Sequence, residues 1–440
     1  MGDLNQSLPF MAQKSDNPLA LAFSELKAGG MMMDMMTRKS GPIPDWPSFW
    51  AKRRPQFFGA YINIPFCQSI CGFCGFYKVR PEPDLLKSYL TALISEIRRQ
   101  GHLASDLDLK ISALYLGGGT PSILSASEIE RLFSEIKLHL PLTDDCEITF
   151  EARLSTLDEE KLKVIFASSI NRLSIGIQSF DTSVRREAGR KDSREEIIEK
   201  LSLIRENFSG LTVIDLIYGL PGQSLDIFAS DLDLAASCKA HGVAFYLLKA
   251  VPGSLWHKDI TSGLKSPLDG LAKLSEYYAL AVKKLSTHGL ERSSNNHFSL
   301  PSTDRNRYNR LSMGRYSIMA FGAGAGGNHE GSHYYNTRQV SSYIEKIEQK
   351  QDPVALFQPS QPDYEIQDKI SRQVQSGTIN LDNIEIENGQ RRDNFERYLE
   401  QWQSAGLLYQ SDGGLSLTTA GYFWSPNLEF ALRSLFDPKA

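Results

Sequence analysis

Short apolar runs alternating with amphipathic stretches predict an α/β fold. The expected architecture is a partial (β/α) barrel of about six parallel strands followed by a small C-terminal α+β module. Two observations carry this reading. Between about residues 56 and 290 the apolar runs recur with helical patterns between them, and strand–helix–strand units imply a parallel sheet with right-handed crossovers. After Pro353 the chain turns to short helices and then to two β-prone runs around Gly413-Gly414, a hairpin signal that suits a winged-helix-like module.

In chain order, residues 1–55 lack steady periodicity and read as an N-terminal arm. They hold Gly29-Gly30, the run Met31-Met-Met-Asp-Met-Met36 and Gly41-Pro-Ile-Pro-Asp-Trp46. Methionine adapts to irregular surfaces, so the Met run either caps a ligand cavity or lies on the core. The strand-like runs follow at Phe58–Ile64, Ile111–Leu116, Cys146–Phe150, Arg172–Gln178, Leu211–Tyr218 and Gly242–Leu248. The helical stretches between them include Asp84–Leu103, Ser125–Leu138, Ser193–Phe208 and Leu225–Lys239. The barrel is thus expected over 56–290, a covering segment over 291–360, and the helical, winged-helix-like module over 361–440. In such a barrel chemistry belongs at the C-terminal ends of the strands.

The chain has 440 residues, 41% hydrophobic and 23% charged, which is ordinary for a globular protein. A net charge of −4 leaves no basic footprint for nucleic acid. No apolar run reaches membrane-spanning length, and Met1-Gly-Asp-Leu-Asn-Gln6 lacks the basic and apolar segments of a secretory signal. The five cysteines, three of them clustered, point to a reducing, cytoplasmic setting.

Those three lie in Tyr61-Ile-Asn-Ile-Pro-Phe-Cys67-Gln-Ser-Ile-Cys71-Gly-Phe-Cys74-Gly-Phe-Tyr77, directly after a strand-like run. Three clustered cysteines cannot all pair as disulfides, and a zinc site wants a fourth ligand that no nearby Cys or His supplies. Thiolates do suit an iron–sulfur centre. Cys67, Cys71 and Cys74 would hold three irons of a cubane and leave one iron open for a small molecule. Cys146 and Cys238 fall in a strand and a helix pattern and read as core residues.

Other candidates also sit at strand ends. Gly117-Gly-Gly-Thr-Pro121 lets the backbone approach a ligand without a Cβ clash. Glu151 is an acid at the sheet's carboxyl edge, where it can pair with ribose hydroxyls or stand as a surface carboxylate. Gln178 ends a strand. Arg190 follows in the next loop, with a planar fork suited to a carboxylate. Asp215 interrupts an apolar strand and needs a partner. Tyr61 either hydrogen-bonds a cofactor or fills the barrel.

The segments YINIPFC-x3-C-x2-C, YLGGGTPS, FEA, IGIQSF and IDLIYGLPGQ resemble the radical S-adenosylmethionine (SAM) proteins, in the branch that includes oxygen-independent coproporphyrinogen dehydrogenase. The likeness is continuous from Tyr61 to about Gln223 and weaker onward to Leu417-Thr-Thr-Ala-Gly421. It implies a [4Fe–4S] cluster on Cys67, Cys71 and Cys74. It also implies SAM contacts at Tyr61, Phe73, Gly118, Gly119, Thr120, Glu151, Gln178, Arg190 and Asp215, with further ones near Leu247 and in the Gly322–Gly327 run. Within the branch, the dehydrogenase carries an additional cysteine where this chain has Phe76. The haem chaperone carries a His-Asn pair where this chain reads Arg305-Asn-Arg-Tyr-Asn309. The haem-utilisation group of anaerobic haem-degrading enzymes is the better likeness. It shares Cys71-x-Phe-Cys74-Gly-Phe-Tyr77, a start like Asn17-Pro-Leu-Ala-Leu-Ala-Phe23, Arg307-Tyr-Asn309 and the Gly-Ala-Gly-Ala-Gly-Gly run.

That resemblance implies reductive SAM cleavage to a carbon radical, SAM as methyl donor, addition at a porphyrin meso carbon, ring opening and release of iron. The product would be a linear, methylated tetrapyrrole. The implied partners are haem, an electron donor such as a flavodoxin or other flavoprotein, and a haem-utilisation protein. For haem itself, His257, His297, His329 and His333 are candidate ligands or hydrogen-bonded residues, with His297 and His329 expected over the barrel mouth. Arg292, Arg305, Arg307 and Arg310 either meet propionates or form a solvated face. A haem-binding chaperone of the same fold remains the alternative from another functional class.

Overall fold

The computed structural model describes residues 8–27, 39–52, 58–313 and 316–436. The Met31–Met36 run and Gly29-Gly30 lie outside the described residues.

The strands expected from the sequence form β1 (Phe58–Ile64), β2 (Ile111–Gly118), β3 (Leu142–Ala152), β4 (Arg172–Gln178), β5 (Leu211–Tyr218) and β6 (Gly242–Leu247). They pair in parallel in that order. Their residues alternate between two environments. Ile62, Leu114, Leu116, Phe150, Leu173, Ile175, Ile214, Leu216 and Phe245 are buried. Each such side chain contributes roughly 1.5–3 kcal/mol by leaving water. The opposite face carries Tyr61, Tyr115, Glu151, Gly176 and Asp215, which are only partly buried. One face therefore packs on helices while the other lines an interior with polar groups.

Helices Pro83–Asp106, Ala126–His139, Glu159–Ala167, Arg194–Asn207, Leu225–Ser237 and Leu271–Thr287 cover the outer face. Ser125 and Ser193 each begin a helix with a capping box, closed by Glu128 and Glu196. Each cap satisfies amide groups that the first turn leaves free.

The sheet is larger than the expected six strands. After β6 come the short strands β7 (Glu291–Arg292) and β8 (His297–Ser299), then β9 (Ser317–Phe321), which pairs in parallel with β1. Next are β10 (Gly326–His329), β11 (Ser332–Asn336) and β12 (Val354–Gln358), which extend that edge antiparallel. The sheet order is β12-β11-β10-β9-β1-β2-β3-β4-β5-β6-β8-β7.

The path of the chain explains a correction. Strand β8 runs antiparallel to β6, so it carries the chain back to the N-terminal ends of the strands. The chain crosses there and re-enters as β9 beside Phe58, the first residue of β1. Residues 300–313 therefore close the barrel underside, and the Gly322–Gly327 run returns to the mouth.

The C-terminal part follows the order helix (Tyr364–Ser376), β13 (Thr378–Ile379), helix (Gly389–Ser404) and the hairpin β14 (Leu408–Ser411) and β15 (Gly414–Leu417), with two closing helices. The strands form a separate antiparallel sheet. The N-terminal segment is strapped to this part. The Trp424 indole donates to the Pro18 and Leu19 carbonyls at 3.1 and 3.0 Å, and the Gln401 side chain clamps the Ala12 backbone. The core is continuous from Ala12 to Phe436. Among the described residues no helix is long and apolar enough to cross a membrane.

Candidate active site

The cysteine loop leaves the C-terminal end of β1 and folds back on itself. Cys67 N–H donates to the Val79 carbonyl at 3.0 Å, and Val79 N–H donates to that of Pro65 at 2.7 Å. Cys67 and Cys71 are buried at 9% and 8% exposure, Cys74 is half-buried, and all are free thiols. Cys67 Sγ lies 3.3 Å from Thr120 Oγ1, so the loop after β2 touches the first cysteine. Burial raises the Cys67 thiol, with the Thr120 hydrogen bond opposing and the other two sulfurs adding to the rise. On its other side the loop is held by the segment after β6. Trp256 N–H donates to the Gly72 carbonyl at 3.0 Å, and Phe73 meets the Trp256 ring edge-on at 5.9 Å.

Among the described residues no three His, Cys, Asp or Glu side chains converge on one point as ligands of a single ion.

The glycine loop is fitted to β1. A Cβ on Gly118, whose φ is +105°, would strike Asn63 Oδ1 at 1.7 Å. One on Gly119 would meet the backbone of Phe66 and Ile64 at 2.6–2.8 Å. Both positions therefore require glycine for close approach. Asn63 also accepts from the Tyr61 hydroxyl at 3.2 Å and donates to the Ala323 carbonyl at 2.5 Å. The Gly322–Gly327 run is thereby tied to the mouth, where Gly322 N–H donates to the buried Glu96 at 2.7 Å.

Glu151 ends β3 and faces the interior. It accepts from the Tyr115 hydroxyl at 2.7 Å and from Gly118 N–H at 3.3 Å. Burial pushes its carboxyl above the usual range, against both hydrogen bonds. Asp215 accepts from the Ser174 hydroxyl at 2.8 Å. Burial first, and then the charge of Glu151, push it up to about 7. Neither acid has an ion-pair partner among the described residues. Gln178 adopts φ +67°, a costly left-handed conformation for a residue other than glycine, and its Oε1 is buried without a partner. Arg190 donates from Nη1 to the Gly176 carbonyl at 2.7 Å, while its Nε is buried without a partner. Tyr61 stacks on Tyr115 at 6.3 Å and on Tyr308 at 5.9 Å.

Strand order and loop packing thus bring Tyr61, Cys67, Gly118, Gly119, Thr120, Glu151, Gln178, Arg190 and Asp215 to one mouth, with Phe73 and Leu247 at its rim. The residues fit the expected groups. Three thiols form a cluster-type donor set, while two desolvated carboxylates and two orphaned buried polar atoms call for hydroxyl, amine and carboxylate partners.

The haem-contact expectations fare differently. His297 is buried, 2.8 Å from Asp304 Oδ2, and His329 is buried, 2.7 Å from Ser317 Oγ. Both lie toward the underside and not over the mouth, because β8 runs downward and β9 starts there. Burial holds His329 near 4 and so neutral. Arg305 and Arg307 pair with Asp145 near the start of β3, and Arg292 stacks on Tyr422, 4.2 Å from its ring centre. Arg310 is exposed and His333 is buried in β11, while His257 begins its helix on the mouth side. Several site residues escaped the sequence reading. Arg153 follows Glu151 by two positions, Tyr115 holds Glu151, and Asn63 bridges the loops. For Arg153 and Tyr115 the available signal was a polar residue on or just beyond an apolar strand.

Fold and site together define a cysteine-triad partial barrel whose mouth gathers desolvated carboxylates and unpartnered polar atoms. The pattern of the radical SAM superfamily matches residues 61–235. Over 86% of this chain and 84% of the relative, the sequence is 30% identical to anaerobilin synthase of Escherichia coli O157:H7. It is 31% identical to the haem chaperone HemW of Lactococcus lactis, over 65% of this chain and 73% of that one. The structure superposes on coproporphyrinogen III oxidase (HemN) of Escherichia coli with a TM-score of 0.74 and 22% identity, covering 93% of this chain and 99% of that one. The chain belongs to the radical SAM superfamily, in the branch that contains these proteins, and is an enzyme that uses a [4Fe–4S] cluster and SAM.

Proposed function

We propose that the protein degrades haem without oxygen, methylating and opening the macrocycle, freeing iron and leaving a linear tetrapyrrole. The observation that carries this reading is the 30% identity to anaerobilin synthase across 86% of the chain. Cys67, Cys71 and Cys74 hold the cluster. Glu151 and Asp215 take SAM hydroxyls, Arg190 takes its carboxylate, and Gly118 and Gly119 open the backbone to its amino end. Reductive cleavage at that centre supplies a carbon radical. The chain's own part is to bind, orient and exclude water. Tyr61, Tyr115 and Tyr308 floor the site, and the exposed Ile70, Phe76 and Leu255 give the rim an apolar surface on which a flat macrocycle can rest. Reducing power comes from a flavodoxin or another flavoprotein, with a haem-utilisation protein as a further partner. The cytoplasm, kept reducing, suits the cluster thiols.

A second reading, a haem chaperone that leaves its cargo whole, is favoured by the 31% identity to HemW. Anaerobic reconstitution with iron, sulfide, reductant, SAM and haem decides between them. Loss of the Soret band, with 5′-deoxyadenosine and a methylated open tetrapyrrole in the mass spectrum, is expected. A persistent Soret band with little SAM turnover overturns haem degradation and leaves the chaperone. Conversion of coproporphyrinogen in a parallel reaction points instead to the dehydrogenase.

A further inference from the structure

Arg153 lies just beyond the end of β3 and is 8% exposed. Its Nη1 donates to Ser69 Oγ at 2.6 Å and lies 3.9 Å from Cys71 Sγ. Its Nη2 donates to the Gly189 carbonyl at 3.3 Å, and its Nε is buried without a partner. A buried guanidinium ordinarily sits on a carboxylate. Here the bonded neighbours are a hydroxyl, a carbonyl and a thiol. The nearby carboxylate, Asp192, is taken by Arg185 at 2.9 Å, and Arg190 adds a further positive charge beside Arg153. The fold thus places a cation with no directly bonded carboxylate against the loop that carries the second cysteine.

We propose that Arg153 is a positioning residue for the cluster, donating from Nη1 to the Cys71 thiolate and raising the cluster's reduction potential. A cluster gains negative charge when it takes up an electron. A buried positive charge beside one of its sulfurs stabilises the reduced form more than the oxidised one. Ser69 accepts from the same nitrogen at 2.6 Å, holds it short of the sulfur and tempers the effect. Partners beyond the ligands themselves routinely tune metal centres in this way. The inference rests on cluster binding by Cys67, Cys71 and Cys74 and is independent of haem as substrate.

The test uses the full chain, reconstituted anaerobically, with iron and sulfide assayed and the potential read by dithionite titration followed by electron paramagnetic resonance. Arg153→Gln is expected to keep its iron and to lower the reduced-to-oxidised ratio about tenfold at fixed potential, ~59 mV for one electron. Arg153→Lys, which keeps the charge, should hold the ratio within about threefold of the parent. Ser69→Ala, which frees Nη1 for sulfur, should raise the potential. A fully loaded Arg153→Gln with the parent potential overturns the proposal, as does a Lys variant that shifts as far as the Gln one. If Arg153→Gln takes up no iron, Ser69→Ala decides, and a fall in its potential overturns the proposal. Failure of the parent chain itself to take up iron would instead sink the cluster reading.

Discussion

The two ends of the barrel treat buried polar groups differently. At the underside an ion-pair network satisfies most of them, and Glu147 Oε2 is the exception beside it. Arg172 meets Asp304 through two hydrogen bonds of 3.0 Å, Asp304 also binds His297, and Asn306 accepts from Arg172. Arg305 and Arg307 close on Asp145. At the mouth, the charge of Glu151 raises Asp215 and neither acid has a direct ion pair among the described residues, Arg172 and Arg190 acting on Asp215 only at a distance, and Gln178 and Arg190 each bury an unpartnered atom. Folding alone does not favour that arrangement, because each unpaired group costs roughly 1–3 kcal/mol. The mouth is the end whose unpartnered groups the proposed ligand would meet, and the underside is the end whose charges pair within the fold.

The sharpest test of that contrast is a pair of substitutions, one at each end. Cys74→Ala should abolish iron uptake and 5′-deoxyadenosine formation and leave the melting temperature of the apo-protein within a few degrees, since the half-buried thiol fills no core position. Asp304→Ala should do the reverse. It strands Arg172 and His297 and costs about 3–5 kcal/mol in urea unfolding, while protein that remains folded takes up its iron. An Asp304 variant of parent stability that had lost haem binding would make the underside a ligand site and end the distinction.

Next in size are the mouth carboxylates. Glu151→Gln should weaken SAM binding about 10- to 100-fold, the loss of roughly 1.5–3 kcal/mol for hydrogen bonds to a charged acceptor, with apo stability unchanged or higher. Asp215→Asn should behave alike in equilibrium binding and add a pH signature. With its folded value raised from 3.8 to about 7, Asp215 keeps a proton in the folded chain after the unfolded chain has lost it. Apo stability therefore falls as pH rises from about 4 to about 7 and levels off above. Glu96, also raised to about 7 by burial, gives a like slope, so Asp215→Asn should reduce the slope without removing it. An unchanged slope would mean that Asp215 is solvated at the mouth.

How much of this was legible in the sequence depended on how local each feature is. Strand ends and the cysteine loop are local. Short apolar runs between helical stretches located β1 to β6, and the carboxyl-end rule then put Glu151, Gln178 and Asp215 on one rim. The seventh parallel strand, Ser317–Phe321, was not legible. Its five residues follow a segment rich in Asn, Arg and Tyr, and its partner β1 lies more than two hundred residues earlier in the chain. His297 and His329 were misplaced for a related reason. Which end a returning segment covers depends on the direction of β8, and nothing in His297-Phe-Ser299 states whether it runs with β6 or against it. Arg153 was passed over because a basic residue after a strand usually faces solvent. Only the packing of the cysteine loop and Gly189 around it makes it buried.

The smallest effect separates the two ends at their border. Tyr61 packs against the Tyr115–Tyr308 pair and hydrogen-bonds Asn63 at 3.2 Å, so its ring serves the barrel floor and its hydroxyl the mouth. Tyr61→Phe keeps the ring and removes one long, neutral hydrogen bond, which should cost about 0.5–1.5 kcal/mol of stability. Asn63 is still held by its bond to the Ala323 carbonyl, so the glycine loop stays in place and SAM affinity should change less than about threefold on the same argument. Calorimetric titration with SAM checks this. A tenfold loss of affinity at nearly unchanged stability would assign the hydroxyl to the bound molecule and move the border between the two ends one residue deeper along β1.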